Sequence, residues 1–350
     1  MNIKKVEIDG RLIGPGEPVY VIAEMSGNHN GDINRALKIL EAAKLSGADA
    51  VKLQTYRPDT ITIKHDSPEF FIKGGIWNGL NTYDLYEEAH TPWEWHSTIF
   101  NRAKELGITV FSAPFDPTAI EFLEQLDCPA YKIASPEIVD LPLIEQVART
   151  GKPMIISTGM ATLEEIQEAI DAATNAGAVD IIILHCVSAY PAPLEDINLS
   201  TIRELEKRFK LPIGLSDHTL NTFVASLSVG FGACVIEKHV TLRRSDGGVD
   251  SSFSIEPEEL EVLVADVKRA FLARGLPTFR PSDSEQSVLM HRRSLYVIQD
   301  VKKGEILTKY NVRSIRPAMG IKPKYYHEII GKKAKRNLKY GEPFQIDMAE

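Results

Sequence analysis

Cysteine is scarce in this chain of 350 residues: Cys128, Cys186 and Cys234 are the only three, widely spaced and without a CxxC pair. An odd, dispersed set excludes a disulfide framework and a zinc knuckle, and the three read as reduced core thiols. Long apolar runs are missing as well. None approaches the ~20 residues that a bilayer span needs. The amino-terminal MNIKKVEIDG has no apolar signal core, so no membrane contact is expected and the cytoplasm is the expected compartment. Low-complexity tracts are absent, and 25% charged with 43% hydrophobic residues excludes a disordered, collagen-like or coiled-coil chain. No GxGxxG follows the first strand-like run, which argues against an open dinucleotide-binding sheet.

A formal net charge of -8 argues against general nucleic-acid affinity, yet the charge is unevenly placed. Residues 291–350 hold 14 Lys/Arg against 6 Asp/Glu, a net +8, and the rest of the chain carries -16. That contrast favours docking of a basic tail on an acidic body.

Short β-branched runs alternate with longer amphipathic ones, the pattern of parallel strands joined by crossover helices. VYVIAEM at 19–25 predicts a buried strand. INRALKILEAAKLSG then predicts a helix facing the core through Ala36, Leu37, Leu40, Ala43 and Leu45 and closed by Gly47. Seven more strand-like runs start near 50, 109, 130, 153, 180, 212 and 234. Eight units predict an α/β fold, a TIM (β/α)8 barrel over residues 1–275. A linker is expected at 276–289 and a small Gly/Pro-punctuated β-rich domain at 290–350.

In such a barrel, chemistry sits at the carboxyl ends of the strands, and polar groups within apolar strands are unfavourable unless paired. Glu24 ends strand one, Lys52 and Gln54 strand two, Lys132, Ser135 and Glu137 strand four, and Ser157 and Thr158 strand five. Ser188 and Tyr190 follow strand six, Ser216, Asp217 and His218 strand seven, and Glu237, Lys238 and His239 strand eight, which leads to Asp250. Each alone could be a bridge across the barrel mouth; the set implies a shared ligand. Lys52 and Lys132 with Ser135, Ser157, Ser188 and Ser216 suit an anion bearing phosphate and carboxylate. His218 and His239 could hold a divalent transition metal or serve as hydrogen-bonded core residues. Glu24 and Glu137 suit proton transfer or a sugar hydroxyl.

The segments IAEMSGNHNGD, ADAVKLQTY, YKIASPEI, STGMATLEE, CVSAYPAP, GLSDHT and IEKHVTL resemble the sialic acid synthase family from residue 15 to about 275. The tail SLYVIQDVKKGEILTKYNVRSIRPAMGI resembles that family's antifreeze-like (SAF) domain. LNTYDLYEEAHTPWEWH at 80–96 resembles the branch that forms pseudaminic acid. The resemblance implies condensation of phosphoenolpyruvate with an open-chain amino sugar, releasing phosphate and giving a nine-carbon 2-keto acid. For this branch the sugar is 2,4-diacetamido-2,4,6-trideoxy-altrose; the alternative is an N-acetylneuraminate or legionaminate synthase acting on N-acetylmannosamine or a related sugar. It puts metal ligands on His218 and His239, for Mn2+ first and Mg2+ or Co2+ next, acting as Lewis acid on the aldehyde. Phosphoenolpyruvate contacts fall on Lys52, Lys132, Ser135, Ser157, Ser188 and Ser216. Sugar contacts fall on Glu24, Gln54, Glu137, Tyr190 and Asp250, with Arg316 supplied by the partner's tail in a domain-swapped homodimer. Glu137 is expected to activate water and Glu24 to bind or deprotonate a sugar hydroxyl. Ser188 and Ala113 stand where N-acetylneuraminate-forming members often have Asn and Thr.

Two readings of other classes stand beside it: a Schiff-base aldolase using Lys52, Lys132 or Lys238, and a binding module whose basic tail recognises ice or nucleic acid. Residues 57–90 exceed ordinary βα connections and carry Phe70, Phe71, Trp77, Tyr83 and Tyr86, with Trp93 and Trp95 beyond. They are expected either to form an apolar lid suited to a deoxysugar methyl or to pin the loop to the barrel.

Overall fold

The alternating strands and helices close into a barrel in the computed structural model, which describes residues 3–350. A hairpin comes first. β1 (Val6–Ile8) pairs antiparallel with β2 (Arg11–Ile13) around Asp9 and Gly10, both at positive φ, as a two-residue turn of the I′ kind requires. Thr109 Oγ1 donates to Asp9 at 2.9 Å and Arg11 pairs with Asp49 at 3.0 Å. These partners stand at or just before strand starts, so the hairpin covers the amino-terminal mouth and buries Val6, Ile8 and Ile13 there. The sequence reading passed over it.

The barrel strands are β3 (Tyr20–Glu24), β4 (Ala50–Thr55), β5 (Thr109–Pro114), β6 (Tyr131–Ile133), β7 (Met154–Ser157), β8 (Ile181–Cys186), β9 (Ile213–Asp217) and β10 (Val235–His239). All pair in parallel, and β10 closes on β3. Each lies inside a run that the sequence predicted. Parallel strands put every carboxyl end on one face, and register aligns those ends: Glu24 stands beside both Lys52 and His239, Glu237 beside Ser216, and Ser216 beside Cys186.

The helix Ile33–Leu45 buries Ala36, Ile39, Leu40 and Ala43. Leu45, expected on that stripe, is 87% exposed. Two residues past Ala43 it has rotated to roughly the opposite side of a helix turning 100° per residue. The helix Pro257–Arg274 ends where predicted, with Gly275 at φ 48. Among the described residues no helix is long and apolar enough to cross a membrane.

The chain divides into two compact units, the first ending at Gly275 and the second running Leu276–Glu350. In the second, β11 (Ser294–Val297) pairs antiparallel with β12 (Val312–Ile315), over a core of its own that includes Leu295, Leu307, Leu338 and Phe344. Asp283–His291 forms 3-10 turns in the stretch where a linker was expected.

Candidate active site

Strand parity decides which rim residues face inward. Side chains alternate along a strand, so Glu237 and His239 of β10 point to one side and Lys238 to the other. The inward set begins with charge. Lys52 Nζ stands between Glu24 Oε2 at 3.2 Å and Glu237 Oε2 at 3.3 Å, positions that pair the charges but leave both oxygens without an aligned hydrogen bond. Glu237 Oε1 takes the Ser216 hydroxyl at 3.0 Å and faces Lys132 Nζ at 3.6 Å, too far for a hydrogen bond. All of these groups are buried. Burial alone would lift the Glu237 carboxyl, but Lys132 and Lys52 hold it well below the ordinary range. The same burial lowers Lys132, whose one carboxylate is distant and whose neighbour Lys52 repels it. Lys52 is raised despite burial, because two carboxylates flank it. An incompletely paired, buried ammonium is a place for an anion.

Hydroxyls surround that place. Ser157 Oγ is buried without a partner, and Ser135 Oγ accepts only from Gly159 N–H at 3.0 Å among the hydrogen bonds of the described residues. A Cβ on Gly159 would stand 2.1 Å from Ser188 Oγ and 2.7 Å from Ser135 Oγ. The glycine therefore makes the room in which both serines converge. Cys186 lies among them; burial favours its thiol, but the bond to His218, 3.8 Å away, brings it down to about 7.

The two histidines lie next to this pocket, their ring centroids 5.3 Å apart. His218 Nδ1 donates to the Val187 carbonyl at 2.9 Å, which in the neutral ring leaves Nε2 with its lone pair; burial opposes the charged ring, but Cys186 and Val187 raise its pKa above the ordinary value. His239 Nδ1 lies 3.5 Å from Asp250 Oδ2 and has no hydrogen-bond partner. Tyr190 packs on His218 at 4.4 Å between ring centroids, and Phe253 on His239 at 4.9 Å. Gln54 Nε2 donates to Glu24 Oε1 at 2.9 Å and to Ser26 Oγ at 3.0 Å, while Ser26 donates to Asp250. Glu137 Oε2 is buried and unpartnered.

Distances join Glu24, Lys52, Gln54, Lys132 and Ser216 in one group and Tyr190, His218, His239 and Asp250 in another beside it. Ser135 and Ser188 flank Gly159, and Ser157, at the end of β7, and Glu137, just after β6, keep buried oxygens without partners. Arg316 belongs to the second unit, where it is exposed and has no ion pair among the described residues. Lys238 is a correction to the aldolase reading. It points away from the mouth into a fully enclosed pair with Asp217 at 2.8 Å, and it also donates to the Thr219 carbonyl at 2.7 Å. Sequence reasoning gave no role to Ser26, Gly159 or Phe253, and none to Glu237, whose position at a strand end was the available signal. Of the aromatics after β4, Trp93 stacks on Phe122 and Trp95 meets His29 edge-on, both as anchors, whereas Trp77 reaches Tyr190.

A barrel whose mouth combines two buried lysines, converging serines and two adjacent imidazoles has the chemistry of a site for an anionic substrate. The chain matches the NeuB family over residues 39–278 and the SAF domain over 292–350. It is 45% identical to the pseudaminic acid synthase of Helicobacter pylori, across 95% of this chain and 98% of that one. Identity to the N,N'-diacetyllegionaminic acid synthase of Campylobacter jejuni is 38%, across 92% and 97%. The crystal structure of the N-acetylneuraminic acid synthetase of Leptospira borgpetersenii with citrate superposes with a TM-score of 0.73 at 32% identity, covering 82% of this chain and 95% of that one. The chain belongs to the NeuB family.

Burial pushes the Glu137 carboxyl from 4.5 up to about 7, against the pull of its own backbone N–H and of Lys132. Below 4.5 both folded and unfolded chains hold this proton, so the group's contribution is complete there. Between 4.5 and about 7 the unfolded chain has released the proton and the folded chain retains it, so stability is lost as pH rises through that window. Glu137→Gln removes the dependence. Its stability relative to the unmodified chain should rise by on the order of 2–3 kcal/mol between about pH 5 and pH 8. Urea midpoints at the two values measure this, and a constant difference would show an ordinary carboxylate.

Proposed function

We propose that the chain condenses phosphoenolpyruvate with open-chain 2,4-diacetamido-2,4,6-trideoxy-altrose, forming pseudaminic acid and phosphate. The observation that carries the anionic half is Lys132, buried and short of a close carboxylate beside the orphaned Ser157 hydroxyl. Lys52, Lys132, Ser135, Ser157, Ser188 and Ser216 then bind phosphate and carboxylate. The higher identity to the pseudaminic than to the legionaminic relative supports the sugar.

The methylene carbon of phosphoenolpyruvate attacks the sugar aldehyde: the enol C=C and aldehyde C=O π bonds open, the C–C bond forms, positive charge is left at C2, and the former aldehyde oxygen takes a proton from solvent. Water adds at C2. The tetrahedral centre then breaks its C–O bond to phosphate, which departs. Glu137, with a pKa of about 7 and an unpartnered oxygen, takes the water's proton. Glu24, fixed by Gln54 and Lys52, receives a sugar hydroxyl, with Tyr190 and Asp250 beside it.

His218 and His239 fit a divalent cation, Mn2+ first and Mg2+ or Co2+ next: one imidazole is fixed with Nε2 free, and the other has an orphaned nitrogen. Among the described residues no cluster of three protein ligands forms there, so water and substrate oxygens would complete the shell. When bound, the cation supplies Lewis acidity to the aldehyde oxygen. A Schiff-base aldolase needs an available amine; Lys238 is locked to Asp217 and Lys52 lies between two carboxylates, so of the three lysines weighed only Lys132 serves that reading, and borohydride trapping with substrate tests it.

The basic second unit, with exposed Arg316, suits the acidic body of a second copy in a homodimer. The three free thiols suit a reducing cytoplasm. Deleting residues 285–350 should leave a folded barrel with greatly impaired sugar use; a truncated chain of full activity removes the second unit from the reaction.

His218→Ala and His239→Ala should each abolish phosphate release from phosphoenolpyruvate plus sugar. Chelation should abolish it in the unmodified chain, with restoration by added Mn2+ only there. Full turnover after exhaustive chelation returns both histidines to a structural role. Equal or better turnover of N-acetylmannosamine moves the chain to the N-acetylneuraminate branch.

A further inference from the structure

The connection between β4 and the helix Trp93–Leu106 contains a small hairpin, tied by the Phe71–Asn81 bridge and by Ile72 N–H donating to the Leu80 carbonyl at 2.9 Å. From 73 to 80 every residue except Trp77 is exposed. No other side chain in that stretch hydrogen-bonds outside the hairpin among the described residues. Trp77 Nε1 donates to the Val249 carbonyl at 2.9 Å. Its ring lies 5.4 Å from Tyr190 and 6.2 Å from Phe253 between centroids. Those two rings pack on His218 and His239 respectively, so Trp77 extends the aromatic surface one ring beyond the pair that would hold the acceptor's carbonyl end.

We propose that Trp77 is a specificity-determining residue: with Tyr190 and Phe253 it encloses the far end of the acceptor and selects a methyl group there over a hydroxymethyl. The inference rests on the proposed condensation and deepens it, by naming what reads the sugar. An indole has one polar group, here committed to Val249; Phe253 has none, and the Tyr190 hydroxyl turns to Ser188, away from this wall. The surface they present therefore cannot replace the water that a hydroxyl loses on entering, whereas a methyl gives up no hydrogen bond. Trp77 also brings a large rigid face at little conformational cost. The neighbouring anchors Trp93 and Trp95 lie on other partners, Phe122 and His29, and have no part in this. The rival account is that Trp77 is only a peg for the hairpin, in which case it would matter equally for every acceptor.

The test compares the full-length chain with Trp77→Ala and Trp77→Phe, using phosphoenolpyruvate, Mn2+ and two acceptors that differ only at C6: the 2,4-diacetamido-6-deoxy sugar and its 6-hydroxy counterpart. The unmodified chain should prefer the deoxy acceptor by about ten- to a hundredfold in kcat/KM. Trp77→Ala should shrink the preference to about threefold or less, chiefly by losing rate on the deoxy acceptor, and Trp77→Phe should retain most of it. Equal loss on both acceptors in Trp77→Ala overturns the proposal. Should the unmodified chain turn over neither sugar, the condensation reading falls, and acrylamide quenching decides the wall separately. The difference signal between the unmodified chain and Trp77→Phe, with Mn2+ present, reports on Trp77. Shielding by the deoxy sugar alone upholds the wall; shielding by both alike, or by neither, overturns it.

Discussion

The buried carboxylate of Glu237 is the group around which the barrel's mouth is organised. It faces Lys52 at 3.3 Å and Lys132 at 3.6 Å and takes the Ser216 hydroxyl at 3.0 Å. Each ion removed from water loses several kcal/mol of hydration even after relaxation, so three of them stay charged only through one another. Glu24 completes the balance on Lys52. What remains is a mismatch: Lys132 lacks a close partner, and Ser157 has none. In the proposed reaction the anion that answers this mismatch is the substrate.

Strand parity separates this functional charge from structural charge only one residue away. Glu237 faces the mouth while Lys238 lies fully enclosed against Asp217, tying the ends of β9 and β10 on the outer side. His218 and His239 follow directly on these two residues. The inner Glu237 and Ser216 belong to the proposed ligand site, whereas the outer Lys238 and Asp217 hold together the strands that carry the imidazoles. The same division holds in the loop after β4, where Trp93 and Trp95 anchor and Trp77 meets the site.

The barrel was legible because each strand is a short β-branched run followed by a helix-length pattern, and polar residues at strand ends marked the mouth. Direction was less legible. Lys238 was weighed as a nucleophile because its position was read without its alternation with Glu237 and His239, although that parity was present in the sequence. The Asp9–Gly10 hairpin carries a strong turn signal between apolar residues, but its strands are three residues each, too short for alternation to mark them. Ser26 and Gly159 could not be seen from pattern: one belongs to a 3-10 turn and the other matters for the side chain it lacks. Leu45 shows that an apolar residue near a helix end need not continue the stripe.

If Lys132 serves the ligand as well as Glu237, removing it should weaken phosphoenolpyruvate binding and, to a lesser extent, the fold. Calorimetric titration of phosphoenolpyruvate into the unmodified chain and Lys132→Met, with urea unfolding of both in its absence, measures the two effects together. Loss of a charge-assisted contact to a buried anion predicts binding weaker by at least about tenfold in Lys132→Met, with a loss of stability that stays partial because Glu237 keeps Lys52 and the Ser216 hydroxyl. A Lys132→Met chain that binds phosphoenolpyruvate as tightly as the unmodified one would contradict the account.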